Sequence, residues 1–129
     1  MNNIATREFI EEQAQTVANI TQELLEHLEI EADVSVDIDE TNAYRVHIET
    51  EDTGILIGHH GKTLESFQIL LGVIVSKSIG AWVKTYVNIG DYRQKREETL
   101  MIMAQRAADR AIALGRPVEL SRLSPSERR

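Results

Sequence analysis

The sequence predicts an α+β fold, with helices packed over one face of a small sheet. Three observations carry this expectation. Val34, Val36 and Ile38 alternate with polar residues, as do Tyr44, Val46 and Ile48 after the polar turn "ETNA". Two long segments, 6–29 and 62–78, repeat apolar residues at helical spacing. A third alternating run, "WVKTYVNIG", follows the second of them. Period-2 alternation marks half-buried strands, and recurrence at three and four residues marks amphipathic helices.

In the first helix, Ile10, Val17, Ile20, Leu24 and Leu28 form the stripe, and Thr6 suits the N-cap with Glu8 in the first turn. The two short strands joined by a polar turn make a hairpin. "ILIG" supplies one helical turn before the glycines. The helix over 62–78 buries Leu64, Phe67, Leu70, Leu71 and Ile74, while Ile69 and Val73 put a second apolar flank elsewhere, either buried or flooring a groove. In the third strand Val83, Val87 and Ile89 oppose Trp82, Lys84, Tyr86 and Asn88. Antiparallel pairing throughout is expected. A last helix runs from about Asp91 to Leu114 and stops at Gly115, with Pro117 beyond it. Its stripe is Leu100, Met103 or Ala104, Ala107, Ala111 and Leu114, with Arg93, Arg96, Arg106 and Arg110 largely elsewhere. "PVEL" could open one more strand.

Composition narrows the functions. Hydrophobic residues make up 42% of 129, enough for a core, and there is no cysteine for thiolate or disulfide chemistry. No apolar run is long enough to enter a membrane as a helix, and the first thirty residues lack a signal core, so a cytoplasmic protein is expected. The net charge of −7 is unevenly spread: residues 1–53 hold fourteen acids and two bases, residues 54–129 seven acids and twelve bases. Binding follows the local field, so the second half remains open to an anionic partner.

The stretch "GILIGHHGKTLE", residues 54–65, raises the functional question. An ATP-binding P-loop ending in Gly61-Lys62-Thr63 needs glycine at 56, where this chain has Leu56. Gly54, Gly58 and Gly61 also miss the dinucleotide spacing. His47, His59 and His60 are the metal candidates, but adjacent histidines in a turn are expected to diverge, and no third ligand stands at suitable spacing. No catalytic constellation is visible, so neither an enzyme, a metal nor a cofactor is expected. What remains is a Gly-x-x-Gly turn between two helices. Gly58 and Gly61 would let a sugar-phosphate backbone approach, the next helix would aim its first N–H groups at phosphate, and Lys62 would add a charge. Such a turn is how a KH module holds about four nucleotides of single strand.

In its setting, Ile57-Gly58-His59-His60-Gly61-Lys62-Thr63-Leu64 resembles the signature of a type II KH domain, covering residues 1–90. From "LIGHHGKTLESFQILL" through "VNIGDYRQKREETL" to "GRPVELSRLSPSERR" the chain is similar to the bacterial Jag family, also called KhpB or EloR. The resemblance implies an α-β-β-α-α-β order with a three-stranded sheet. It implies single-stranded RNA as ligand, held by Ile57, Gly58, His59, His60, Gly61, Lys62 and Thr63. It also implies a post-transcriptional role in cell elongation and division, alongside a second small KH protein or by self-association. Residues 91–129 would open an Arg-x-x-x-His single-strand-binding domain. Arg128 would be its arginine and the histidine would fall past the last residue, so this domain is expected to be incomplete. Arg93, Lys95 and Arg96 join Arg128 as secondary basic candidates. The competing expectation is a KH-fold interaction domain whose groove serves dimerisation, which the acidic first half favours.

Overall fold

A computed structural model describes residues 6–121, 123–125 and 127–128. The chain divides into two compact units, residues 1–90 and 91–129.

The first unit opens with α1 (Arg7–Glu12) and α2 (Ala14–His27), where the sequence predicts one helix. Gln13 marks a kink, not a break, because its N–H still bonds Phe9 and its carbonyl still accepts from Val17. One buried stripe, Ile10, Val17, Thr21 and Leu25, runs through both helices. It is rotated from the expected one: Ile20 and Leu24 are half-buried and Leu28 is exposed. A threonine can occupy the core here because its hydroxyl donates to the Val17 carbonyl at 2.8 Å, leaving no buried donor unmet. Glu29, in the left-handed region at φ 59°, ends α2, and the Ile30 N–H returns to the Leu25 carbonyl.

Strand β1 (Asp33–Ile38) pairs antiparallel with β2 (Tyr44–Glu49), as the hairpin pattern requires. Asp39 organises the turn. Its Oδ1 accepts from the Thr41 hydroxyl at 2.6 Å and from the N–H groups of Thr41 and Ala43, and its Oδ2 accepts from Arg45 at 2.9 Å. Tyr44 points into the core, and its hydroxyl donates to the Ile10 carbonyl at 2.7 Å, tying the hairpin to α1.

After β2 come α3 (Thr53–Ile57), a 3₁₀ turn over His59–Gly61, α4 (Lys62–Ile79) and β3 (Thr85–Ile89). The strand order is β1-β2-β3, but β3 runs parallel to β2, correcting the expectation of an all-antiparallel sheet. The reason is the connection: two helices cross one face between the strands, and such a crossover returns the chain in its original direction. Tyr44, Val46, Ile48, Thr85, Val87 and Ile89 point to the covered face. Leu64, Phe67, Leu71 and Val75 of α4 pack on them at spacings of three and four, whereas of the expected stripe Leu70 is exposed and Ile74 half-buried.

The second unit consists of α5 (Tyr92–Leu114), closed by left-handed Gly115, and the segment after it. Leu100, Met103, Ala107 and Ala111 are half-buried as expected, whereas Leu114 and Ala104 are exposed. Arg96 falls on this half-buried line instead of the solvated faces. No strand forms at 117–120, where Pro117 lacks an N–H and no neighbouring strand is present among the described residues. Ser126 and Arg129 of the closing "SPSERR" run lie outside the described residues.

Candidate nucleic-acid interface

The Gly-x-x-Gly segment is a sharp corner between α3 and α4. Gly58 has φ 70° and ψ −171°, a conformation that L side chains avoid. A β-carbon there would overlap the Thr63 hydroxyl and lie 2.7 Å from the Thr63 Cβ. The space that glycine leaves at 58 is therefore taken up by the chain itself. His60, at φ 54°, and Gly61, at φ 80°, continue in the left-handed region, and α4 starts at Lys62 with no side chain capping it. The Lys62 N–H bonds the His59 carbonyl, and no side chain caps the amides that follow at the positive end of this 18-residue helix.

His59, Lys62 and Thr63 are exposed, Ile57 and His60 are half-buried, and Gly61 is buried. The imidazole rings do not diverge as expected: their centroids are 3.9 Å apart at 31°. Among the described residues no group of three metal-ligating side chains assembles. His47 is remote in role, standing on the sheet's open face with Nε2 3.2 Å from the Asp37 carboxylate.

The second apolar flank of α4 settles as surface. Ile69 is 66% exposed and Val73 44% exposed. They form one wall of a groove of about 260 Å³ against Trp82, Lys84 and Tyr86, with Gly72 between them. The groove continues past Val73 to Ser76, Lys77 and Gly80, with Trp82 lining both parts. Gln68 holds helix and strand in register, its Oε1 accepting the Val87 N–H at 3.0 Å. Two lysines and no carboxylate line the groove, although acids outnumber bases twenty-one to fourteen in the chain. At 1.5 Å per residue, Ile69 and Val73 stand about 10–16 Å along α4 from Lys62. The turn and the groove are thus parts of one helix. Sequence reasoning named the flank but missed Trp82, Lys84 and Gly72 as its partners. The outward placement of Trp82 in the third alternating run was the available signal.

The secondary basic residues belong to the second unit. Arg96 bonds Glu127 at 2.8 Å, with both side chains only 13% exposed. Burial works against the Glu127 charge, but the Arg96 hydrogen bond and the Ser124 amide outweigh it and hold that carboxyl below its usual range. Lys95 pairs with Asp91 one helical turn away, and Arg93 and Arg128 are exposed. Arg96 is thus committed to its own unit through Glu127.

Comparison with known proteins adds the family. Residues 14–89 match the model of the KhpA/KhpB KH domain. The chain is 33% identical over 109 residues to the RNA-binding protein KhpB of Clostridium symbiosum, covering 84% of this chain and 49% of that protein. It is 30% identical over 108 residues to KhpB of Bacillus subtilis, covering 84% and 51%. Against KhpB of Streptococcus pneumoniae D39 it is 29% identical over 126 residues, covering 98% and 38%. The chain thus spans about half the length of these relatives, or less.

Proposed function

The chain belongs to the KhpA/KhpB KH-domain family, and on that premise we propose that it binds single-stranded RNA along the corner at 58–61 and the groove beside α4. The carrying observation is their continuity: a positively ended helix, an uncapped glycine corner and an acid-free groove share one element. Lys62 supports the reading, since a cation in the first turn opposes the helix dipole and costs stability unless something anionic faces it. The KhpB relatives are RNA-binding by name. Phosphates pass His59, Lys62 and the first N–H groups of α4, while unstacked bases lie over Ile57 and the groove. Gly58 and Gly61 shape the corner that allows this approach. The family resemblance extends the proposal to a cytoplasmic post-transcriptional regulator of cell elongation and division that works with a second small KH protein. It also supports a further strand contact beyond 91, with Arg93, Lys95 and Arg128 as its cations.

Replacing His59 by Asp and Lys62 by Glu tests the phosphate site without touching a glycine. Both positions are exposed, and acids in a first turn suit the dipole, so the melting temperature should hold within about 2 °C. Affinity for a labelled eight-nucleotide single strand should fall tenfold or more, equivalent to about 1.4 kcal/mol. Unchanged affinity rejects the phosphate site and favours an interaction domain whose apolar groove takes another protein.

A further inference from the structure

Of the seven glycines, Gly58, Gly61, Gly80, Gly90 and Gly115 have positive φ, so the backbone itself accounts for them. Gly54 and Gly72 have no such reason, and of these two Gly72 lines the groove. It lies in the interior of α4 with helical geometry, where glycine is the least favourable residue after proline. A β-carbon built on it meets no atom within 4 Å, so packing does not exclude a side chain either. What surrounds it is the groove: Ile69 and Val73 on its own helix, and Trp82 across the gap. Trp82 is the one tryptophan of the chain and is 69% exposed. An aromatic ring left in water, opposite a helix position stripped of its side chain, leaves room for a flat group between them. Lys84 and Lys77 beside it, with no carboxylate in the lining, suit a flat group tethered to phosphates.

From this geometry we infer that Trp82 stacks one unstacked base over the floor that Gly72 leaves open, so that the two residues seat and size that base. The inference rests on the RNA reading above. Stacking on the indole face is open to any base. Selection comes from the floor, where the missing side chain gives room to the larger ring system and so favours a purine over a pyrimidine.

Because Trp82 is the sole indole, its emission reports the seat directly. Unlabelled octa-adenylate and octa-uridylate are titrated against the full chain, with fluorescence anisotropy of end-labelled strands measured in parallel. Octa-adenylate should quench the indole with the same midpoint as the anisotropy and bind about three- to tenfold tighter than octa-uridylate. Trp82→Ala should weaken octa-adenylate about tenfold, within the usual range for one lost base stack. Gly72→Leu should raise the melting temperature by a few degrees, as a better helix former, yet weaken octa-adenylate tenfold or more and remove the quenching. Gly72→Ala adds a single carbon and should show both effects in smaller measure, which serves if the leucine variant does not fold. Strands that bind by anisotropy without quenching the indole overturn the seat and leave the RNA reading intact. So does a Gly72→Ala variant that binds octa-adenylate as wild type does. Failure of wild type to bind either strand overturns both.

Discussion

Gly58 and Asp39 show how single residues hold this domain. Alanine at 58 would meet both an unfavourable φ and the Thr63 side chain, so Gly58→Ala should cost about 1–3 kcal/mol in urea unfolding. Adding Thr63→Ala should recover only part of that, since the backbone angle remains. Thr41 donates most strongly to Asp39, and with the Ala43 and Thr41 amides and Arg45 it keeps that carboxyl well below its ordinary range despite the opposing effect of burial. A carboxyl depressed in the folded state contributes stability above its unfolded pKa, near 4, and loses it as pH falls through the folded value. Stability should therefore drop progressively below about pH 4.5. Asp39→Asn, which cannot carry the charge, should flatten that part of the profile in thermal melts between pH 7 and 2. Of the site residues, the glycines and histidines were legible in the sequence as a motif. The internal reason for Gly58 was not, because it depends on where Thr63 folds back.

Helix α4 divides its labour between two faces. Leu71 is fully buried, so Leu71→Ala should lose about 2–5 kcal/mol through lost burial and a residual cavity. Val73, one turn edge away, is 44% exposed, so Val73→Ser should change stability by no more than about 0.5 kcal/mol while weakening RNA binding. Equal stability losses at the two positions would mean that the flank is core and not groove. In the second unit, Arg96→Ala strands Glu127 and should cost about 1.5–3 kcal/mol, read as lost hydrogen-exchange protection along α5. The helices and strands were legible from periodicity, but the stripes only in part, since Leu28, Leu70 and Leu114 are exposed. The departures have local causes: Thr21 satisfies its own hydroxyl and enters the core, and Arg96 finds a carboxylate thirty-one residues away.

At the scale of the molecule, the charge asymmetry decides how binding should respond to salt. A site meeting three or four phosphates should give a slope of log K against log salt of about −2 to −3 on single strands. The net charge of −7 makes repulsion outside the groove screenable too, so curvature towards weaker dependence is expected at the lowest salt. A slope near zero, measured between 50 and 300 mM, would remove phosphate contact as the source of affinity. Duplex RNA should bind more weakly than single strands, since a groove that reads splayed bases has no access to paired ones.

What the sequence by itself determined is the set of elements, their order and the glycine corner, because these depend on periodicity and on backbone freedom within a few residues. The parallel pairing of β3 with β2, the groove between α4 and Trp82, and the rotation of the first helix's buried face were decided only in three dimensions. Each arises from residues on different elements meeting across the fold. Alternation shows which face of a strand is apolar but not which neighbour it pairs with or in which direction. An apolar helix flank likewise reads the same in sequence whether a core covers it or water does.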